Sequence, residues 1–191
     1  MRAFYICFVF VLLACCDTHN QKETSYIALL QKQNAQLGNL KILSKLQHAG
    51  EGMQLKDICL YRESGDSLQL NQIFGTTRKI IFFFSELGCA SCYMPFLENA
   101  IGRQDALKEK LVIVAGFENQ KDFKIYMQDR NIPFEIFRIR TNFNIFPEYN
   151  DYALAFLSDK NCVVDNLFII DSSNVGYVDD YLQIVCQKIG V

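Results

Sequence analysis

The sequence predicts an α/β domain with a mixed central sheet flanked by helices. Three observations carry this. Two runs, Ile80–Phe84 and Leu111–Ala115, are apolar at every position, as strands buried on both faces are. Segments with helical spacing follow each of them. A hairpin pattern precedes the first run, and a second hairpin pattern begins at Leu167–Ile170, which makes the sheet mixed.

The 191 residues suit one domain with an added terminal segment. Half of them are hydrophobic, enough for a core without metal or disulfide staples. Trp is absent, and 16 Phe and 9 Tyr supply the aromatic bulk. A net charge of -2 argues against a nucleic-acid partner held by basic surface.

Arg2 and the apolar run Ala3–Ala14 read as a signal peptide, residues 1–14. The run is too short to span a bilayer comfortably, and the competing reading is a buried core segment. Leu12-Leu13-Ala14-Cys15 resembles a bacterial lipoprotein box. That resemblance implies cleavage before Cys15, lipidation of Cys15 and a membrane anchor, at about 0.8 kcal/mol per buried CH₂. It places the chain in the cell envelope, on the extracytoplasmic side, where cysteines can stay oxidised.

Residues 15–49 form a tether and helical spacer. Asp17–Ser25 is polar, and Tyr26–His48 is helical in pattern, with Leu30, Leu37, Leu40, Leu43 and Leu46 in its stripe. It is either a helix that spaces the domain from the membrane or packs on its own domain, or a short coiled-coil stalk. Gly50–Gly52 marks the start of the domain, residues 50–191. Met53–Tyr61 and Leu68–Leu70, around Ser64-Gly65-Asp66, read as an N-terminal β-hairpin, and Asn71–Phe74 as one helical turn. After the strand Ile80–Phe84 comes the helix Tyr93–Ile101, with Pro95 in it. Leu111–Ala115 is the second buried strand, Lys121–Arg130 the second helix and Phe134–Ile139 the third strand. Tyr152–Leu157 reads as a short helix, Leu167–Ile170 as the fourth strand, Tyr177-Val178 as the start of its hairpin partner, and Tyr181–Ile189 as the closing helix.

The chemistry concentrates at Cys89 and Cys92, a C-x-x-C directly after the first buried strand. A thiolate is the attacking species, and a helix N-terminus favours it. Cys89 is therefore the candidate nucleophile and Cys92, one turn on, the resolving thiol. Glu86 is either a proton relay, a charge that opposes the thiolate, or a solvated loop carboxylate. The competing readings of the pair are a structural disulfide or half of a zinc site. Zinc wants four ligands, and no second C-x-x-C exists, while His19 and His48 both precede the domain, so no metal is assigned. No cofactor is called for.

The element order together with the C-x-x-C resembles the thioredoxin-like superfamily. The N-terminal hairpin and anchor resemble its extracytoplasmic oxidoreductases of the TlpA and ResA kind, over Gly50–Val191. The resemblance implies a thiol-disulfide oxidoreductase with protein thiol or disulfide substrates and a redox partner protein. The alternative is a binding or scaffold lipoprotein on the same fold with a non-cycling pair. The resemblance also implies that the loop before Leu167 approaches the pair. Cys162 in that loop is then a possible additional thiol, against a buried free cysteine or a bridge to Cys186. The family's cis-proline would fall near Val164-Asp165-Asn166, which contains no proline, and Pro147 lies upstream. A peroxidase is the rival on this fold, but Glu86 stands where peroxiredoxins place a threonine.

Overall fold

The computed structural model describes residues 28–128, 130–140, 143 and 152–191. The signal segment, Cys15, the polar tether and Pro147 lie outside the described residues. The chain divides into two compact units, Met1–Ile42 and Leu43–Val191. Residues 28–50 are helical (α1). In the first unit the apolar positions Leu29, Leu30 and Leu37 are exposed. No helix among the described residues is long and apolar enough to cross a membrane.

The second unit starts upstream of the Gly50–Gly52 break, because the end of α1 packs into it. Leu43 is buried, and Leu46 packs against the same cluster. Gln47 donates to the Leu167 carbonyl at 2.9 Å, and the Glu51 carboxylate accepts the N–H groups of Asn166 and Leu167.

Seven strands form one sheet in the order β2-β1-β5-β4-β3-β6-β7. They are β1 (Cys59–Tyr61), β2 (Ser67–Gln69), β3 (Lys79–Ser85), β4 (Leu111–Gly116), β5 (Glu135–Ile139), β6 (Ala153–Ser158) and β7 (Asp165–Ile170). β1 and β2 form the antiparallel N-terminal hairpin, followed by a 3-10 turn at Leu70–Ile73. β3, β4 and β5 are mutually parallel; β6 is antiparallel to both β3 and β7. The helices after α1 are α2 (Ala90–Gly102), α3 (Gln104–Leu107), α4 (Gln120–Gln128) and α5 (Val178–Ile189).

The apolar runs separate onto the two faces with the period of two that a strand imposes. Ile80, Phe82 and Phe84 of β3 join Phe96, Leu97, Phe123, Leu182 and Val185 under the helices. Ile81 and Phe83 join Leu43, Phe74, Phe137 and Phe156 on the other face. Full burial of such side chains contributes about 1.5–3 kcal/mol each, so β3 anchors both layers.

Two expected elements differ. Tyr152–Leu157 is not a helix: Ala153–Ser158 is a strand buried at every position, seated between β3 and β7. Its Ala and Leu residues favour helix locally, and pairing on both edges overrides that preference. Tyr177-Val178 begins no strand. Val175–Tyr177 is a 3-10 turn, and α5 starts at Val178 with Asp179 and Asp180 in its first turn, where the helix dipole favours acids. The hairpin partner of β7 is therefore β6, which precedes it.

Candidate functional site

β3 ends at Ser85, and a tight turn carries the chain to α2. The Gly88 N–H donates to the Ser85 carbonyl at 2.9 Å, and the Leu87 N–H to Ser85 Oγ at 3.2 Å. Cys89 is the N-cap of α2, in extended conformation, and its carbonyl accepts the Cys92 N–H at 2.9 Å. A thiol at this position meets unpaired backbone N–H groups and the positive end of the helix dipole. No acid stands in the first turn to oppose it. Aromatic stacking fixes α2 over β3: Phe82 on Phe96 at 4.2 Å between centroids, and Phe84 on Tyr93 at 4.5 Å. Pro95 lies in the second turn of α2. Its missing N–H leaves the Ser91 carbonyl without its helical partner.

Cys89 and Cys92 are joined as a disulfide, with Cα atoms 5.2 Å apart. The two sulfurs are unequal in access. Cys89 is exposed, whereas Cys92 is 8% exposed. Ser91 Oγ lies 3.2 Å from Cys89 Sγ. A disulfide sulfur carries no hydrogen, so the hydroxyl is the donor here. Leu87, two residues before Cys89, is 80% exposed.

Glu86 is an exposed loop carboxylate that is tied down. Its N–H donates to the Gly116 carbonyl at 2.9 Å, and its Oε1 accepts the Glu118 N–H at 3.1 Å. These bonds fasten the turn before Cys89 to the loop after β4. The same loop is held from behind by Arg138 of β5, only 3% exposed. Arg138 Nη1 donates to the Phe117 carbonyl at 3.2 Å and the Glu118 carbonyl at 3.0 Å. Burial pushes the Arg138 guanidinium pKa down, and neighbouring Arg140 adds to this, against the Tyr61 ring. Both guanidiniums lie against that ring, at 4.9 Å and 4.7 Å. The sequence places Arg138 only within the third strand, Phe134–Ile139, and this role was missed. The available signal was a cation among the apolar positions Ile136, Phe137 and Ile139.

The structure does not bring Cys162 to the pair. β3 runs toward Cys89 at its Ser85 end, and β6 pairs Phe83 with Leu154 but Lys79 with Ser158. Cys162 follows Ser158, so it sits at the opposite end of the sheet, on the order of 20 Å away by strand rise. It is a buried free thiol with left-handed backbone, and burial, then Asp159, raises its pKa. The Val164–Asn166 stretch is at that far end too. This corrects the expected approach of that loop to the pair. The chain reaches the pair's end of the sheet where it enters β6 at Ala153. Cys59 and Cys186 are free and half-buried, and Cys15 is outside the described residues.

The strand order and the helix placement define a thioredoxin-like fold, with Cys89–Cys92 at the junction of β3 and α2. No protein-family model and no curated protein matches the chain. Solved structures do. The DsbE thiol:disulfide interchange protein of Chlorobium tepidum aligns with a TM-score of 0.52 and 14% identity, over 71% of this chain and 97% of that one. A thiol:disulfide interchange protein from Bacteroides sp. gives 0.51 and 13%, over 74% and 91%. The peroxidoxin BcpB of Mycobacterium tuberculosis gives 0.51 and 12%, over 73% and 96%. At these identities the likeness is one of fold.

Proposed function

We propose that this chain is a thiol-disulfide oxidoreductase acting on protein substrates through Cys89 and Cys92. The observation that carries the reading is the asymmetry of the pair: an exposed sulfur at the helix N-terminus, bonded to a buried one a turn further on. In the reduced protein the Cys89 thiolate attacks one sulfur of a substrate disulfide and expels the other as a thiolate. Cys92 loses its proton to solvent and attacks Cys89 Sγ, which releases the second substrate sulfur. The substrate gains two electrons, the leaving thiolates take up protons, and the Cys89–Cys92 disulfide remains. A redox partner protein returns the electrons; the same steps in reverse oxidise a substrate dithiol. The fold likeness to thiol:disulfide interchange proteins supports this class.

The lipobox reading adds a location. Anchored through lipidated Cys15, the domain would work on the extracytoplasmic side of a membrane in the cell envelope. Metabolic labelling with a fatty-acid probe tests that part separately, through loss of label in Cys15→Ala.

The activity test is reduction of a disulfide-bonded model protein by the purified chain with a dithiol as the electron source. Turnover is expected in the wild type. Cys89→Ser should abolish it, and Cys92→Ser should trap a mixed disulfide. Full activity in Cys89→Ser would sink the mechanism. A pair that stays oxidised across the physiological range of potentials would point to the scaffold reading instead.

A further inference from the structure

The Glu86 carboxylate and the Arg138 guanidinium grip one peptide group from its two ends. The Phe117 carbonyl accepts from Arg138 at 3.2 Å, and the N–H of the same peptide, that of Glu118, donates to Glu86 at 3.1 Å. A cation, a polarised peptide and an anion thus stand in line. Each bond is charge-assisted, and each strengthens the other through the shared amide. The Arg138 end is fixed. That side chain is buried, holds the Glu118 carbonyl as well, and packs on Tyr61. The Glu86 end belongs to the turn that delivers Cys89, three residues further on. No salt bridge among the described residues involves either side chain.

Resting on the reading of Cys89 as the attacking thiol, we propose that Arg138 is a positioning residue for this site. Through the Phe117–Glu118 peptide it holds the Glu86 carboxylate on the Glu118 N–H and offsets its negative charge. Without Arg138, Glu86 is a loop carboxylate with a full charge in the turn that delivers Cys89. An uncompensated anion there disfavours a second anion on Cys89. The relay therefore keeps Cys89 reactive without any direct contact between Arg138 and sulfur.

The test is the pKa of Cys89 in the reduced, full-length protein, from the pH dependence of its alkylation rate. It needs no substrate turnover, so it reads out even where the oxidoreductase assay fails. Arg138→Gln removes the charge and withdraws the donor by two atoms from the Phe117 and Glu118 carbonyls. It is expected to raise the Cys89 pKa, with roughly three- to tenfold less thiolate at fixed pH, an interaction of surface-site size. Adding Glu86→Gln should restore the wild-type value. A purely structural role predicts no such rescue, and equal pKa values in Arg138→Gln and the double variant overturn the proposal. A measurement on Glu86→Gln alone guards against misfolding of the buried variant. In this exposed-loop substitution the Glu118 amide and the Arg138 guanidinium NMR resonances should both shift. An unmoved Arg138 signal means that the two charges do not communicate, and the proposal fails.

Discussion

Ser91→Ala isolates what the hydroxyl beside Cys89 contributes to the redox equilibrium. Ser91 Oγ lies 3.2 Å from Cys89 Sγ and, in the disulfide, donates to a neutral sulfur. Reduction places a negative charge on the acceptor, and the same donor then makes a charge-assisted bond. Hydrogen bonds to charged groups contribute about 1.5–3 kcal/mol. Both residues are exposed, and water replaces part of a lost bond, so a net difference of about 1 kcal/mol between the two redox states is the reasonable expectation. That corresponds to a rise of roughly 0.7 in the Cys89 pKa. It also lowers the reduction potential by about 20 mV where Cys89 is ionised, since 30 mV corresponds to about 1.4 kcal/mol for this couple. The assay is equilibration of each protein with dithiol buffers of known potential, with the redox state read by thiol trapping. Ser91→Thr keeps the hydroxyl and should stay near wild type. A potential unchanged in Ser91→Ala, or one that moves upward, refutes the assignment of the hydroxyl as thiolate donor.

Two further outcomes follow from packing and burial. Phe96 is fully buried and stacked on Phe82, so Phe96→Ala should cost about 3–5 kcal/mol in denaturant unfolding; a loss below 1 kcal/mol would mean that α2 is not held as described. Cys162 is buried with a pKa raised by burial and then by Asp159, so little thiolate forms near neutral pH. In the native protein it should resist a maleimide at pH 7 and react at once in denaturant, as mass spectrometry of the modified peptide would show. Rapid native labelling at Cys162 would contradict its burial.

The parts of the fold legible in the sequence are those where one physical signal acts alone. Ile80–Phe84 is apolar at consecutive positions because both faces are covered, and its Ile and Phe residues favour strand over helix. The C-x-x-C at its end needed only that strand and the following helix to be placed correctly. Ala153–Ser158 failed because Ala-Leu-Ala-Phe-Leu is as good a buried helix as a buried strand. That one miss had a geometric consequence. Each antiparallel strand reverses the chain, so omitting β6 inverted the polarity assigned to everything after it. Cys162 and Val164–Asn166 were thereby expected near the pair, when they stand at the other end of the sheet. The Arg138 relay was illegible for a different reason. It depends on which peptide lies between β4 and α4, and no spacing rule encodes that.

The end of α1 is strapped to β7 by Gln47 and Glu51, through bonds to the backbone of Asn166 and Leu167. β7 is an edge strand, and Cys89 lies beyond β3, two strands further in. Mechanical load applied upstream of Leu43 would thus arrive at the margin of the sheet. It would reach the end far from Cys89, because β7 begins there. β6 stands between that margin and the strand that carries the sulfur chemistry.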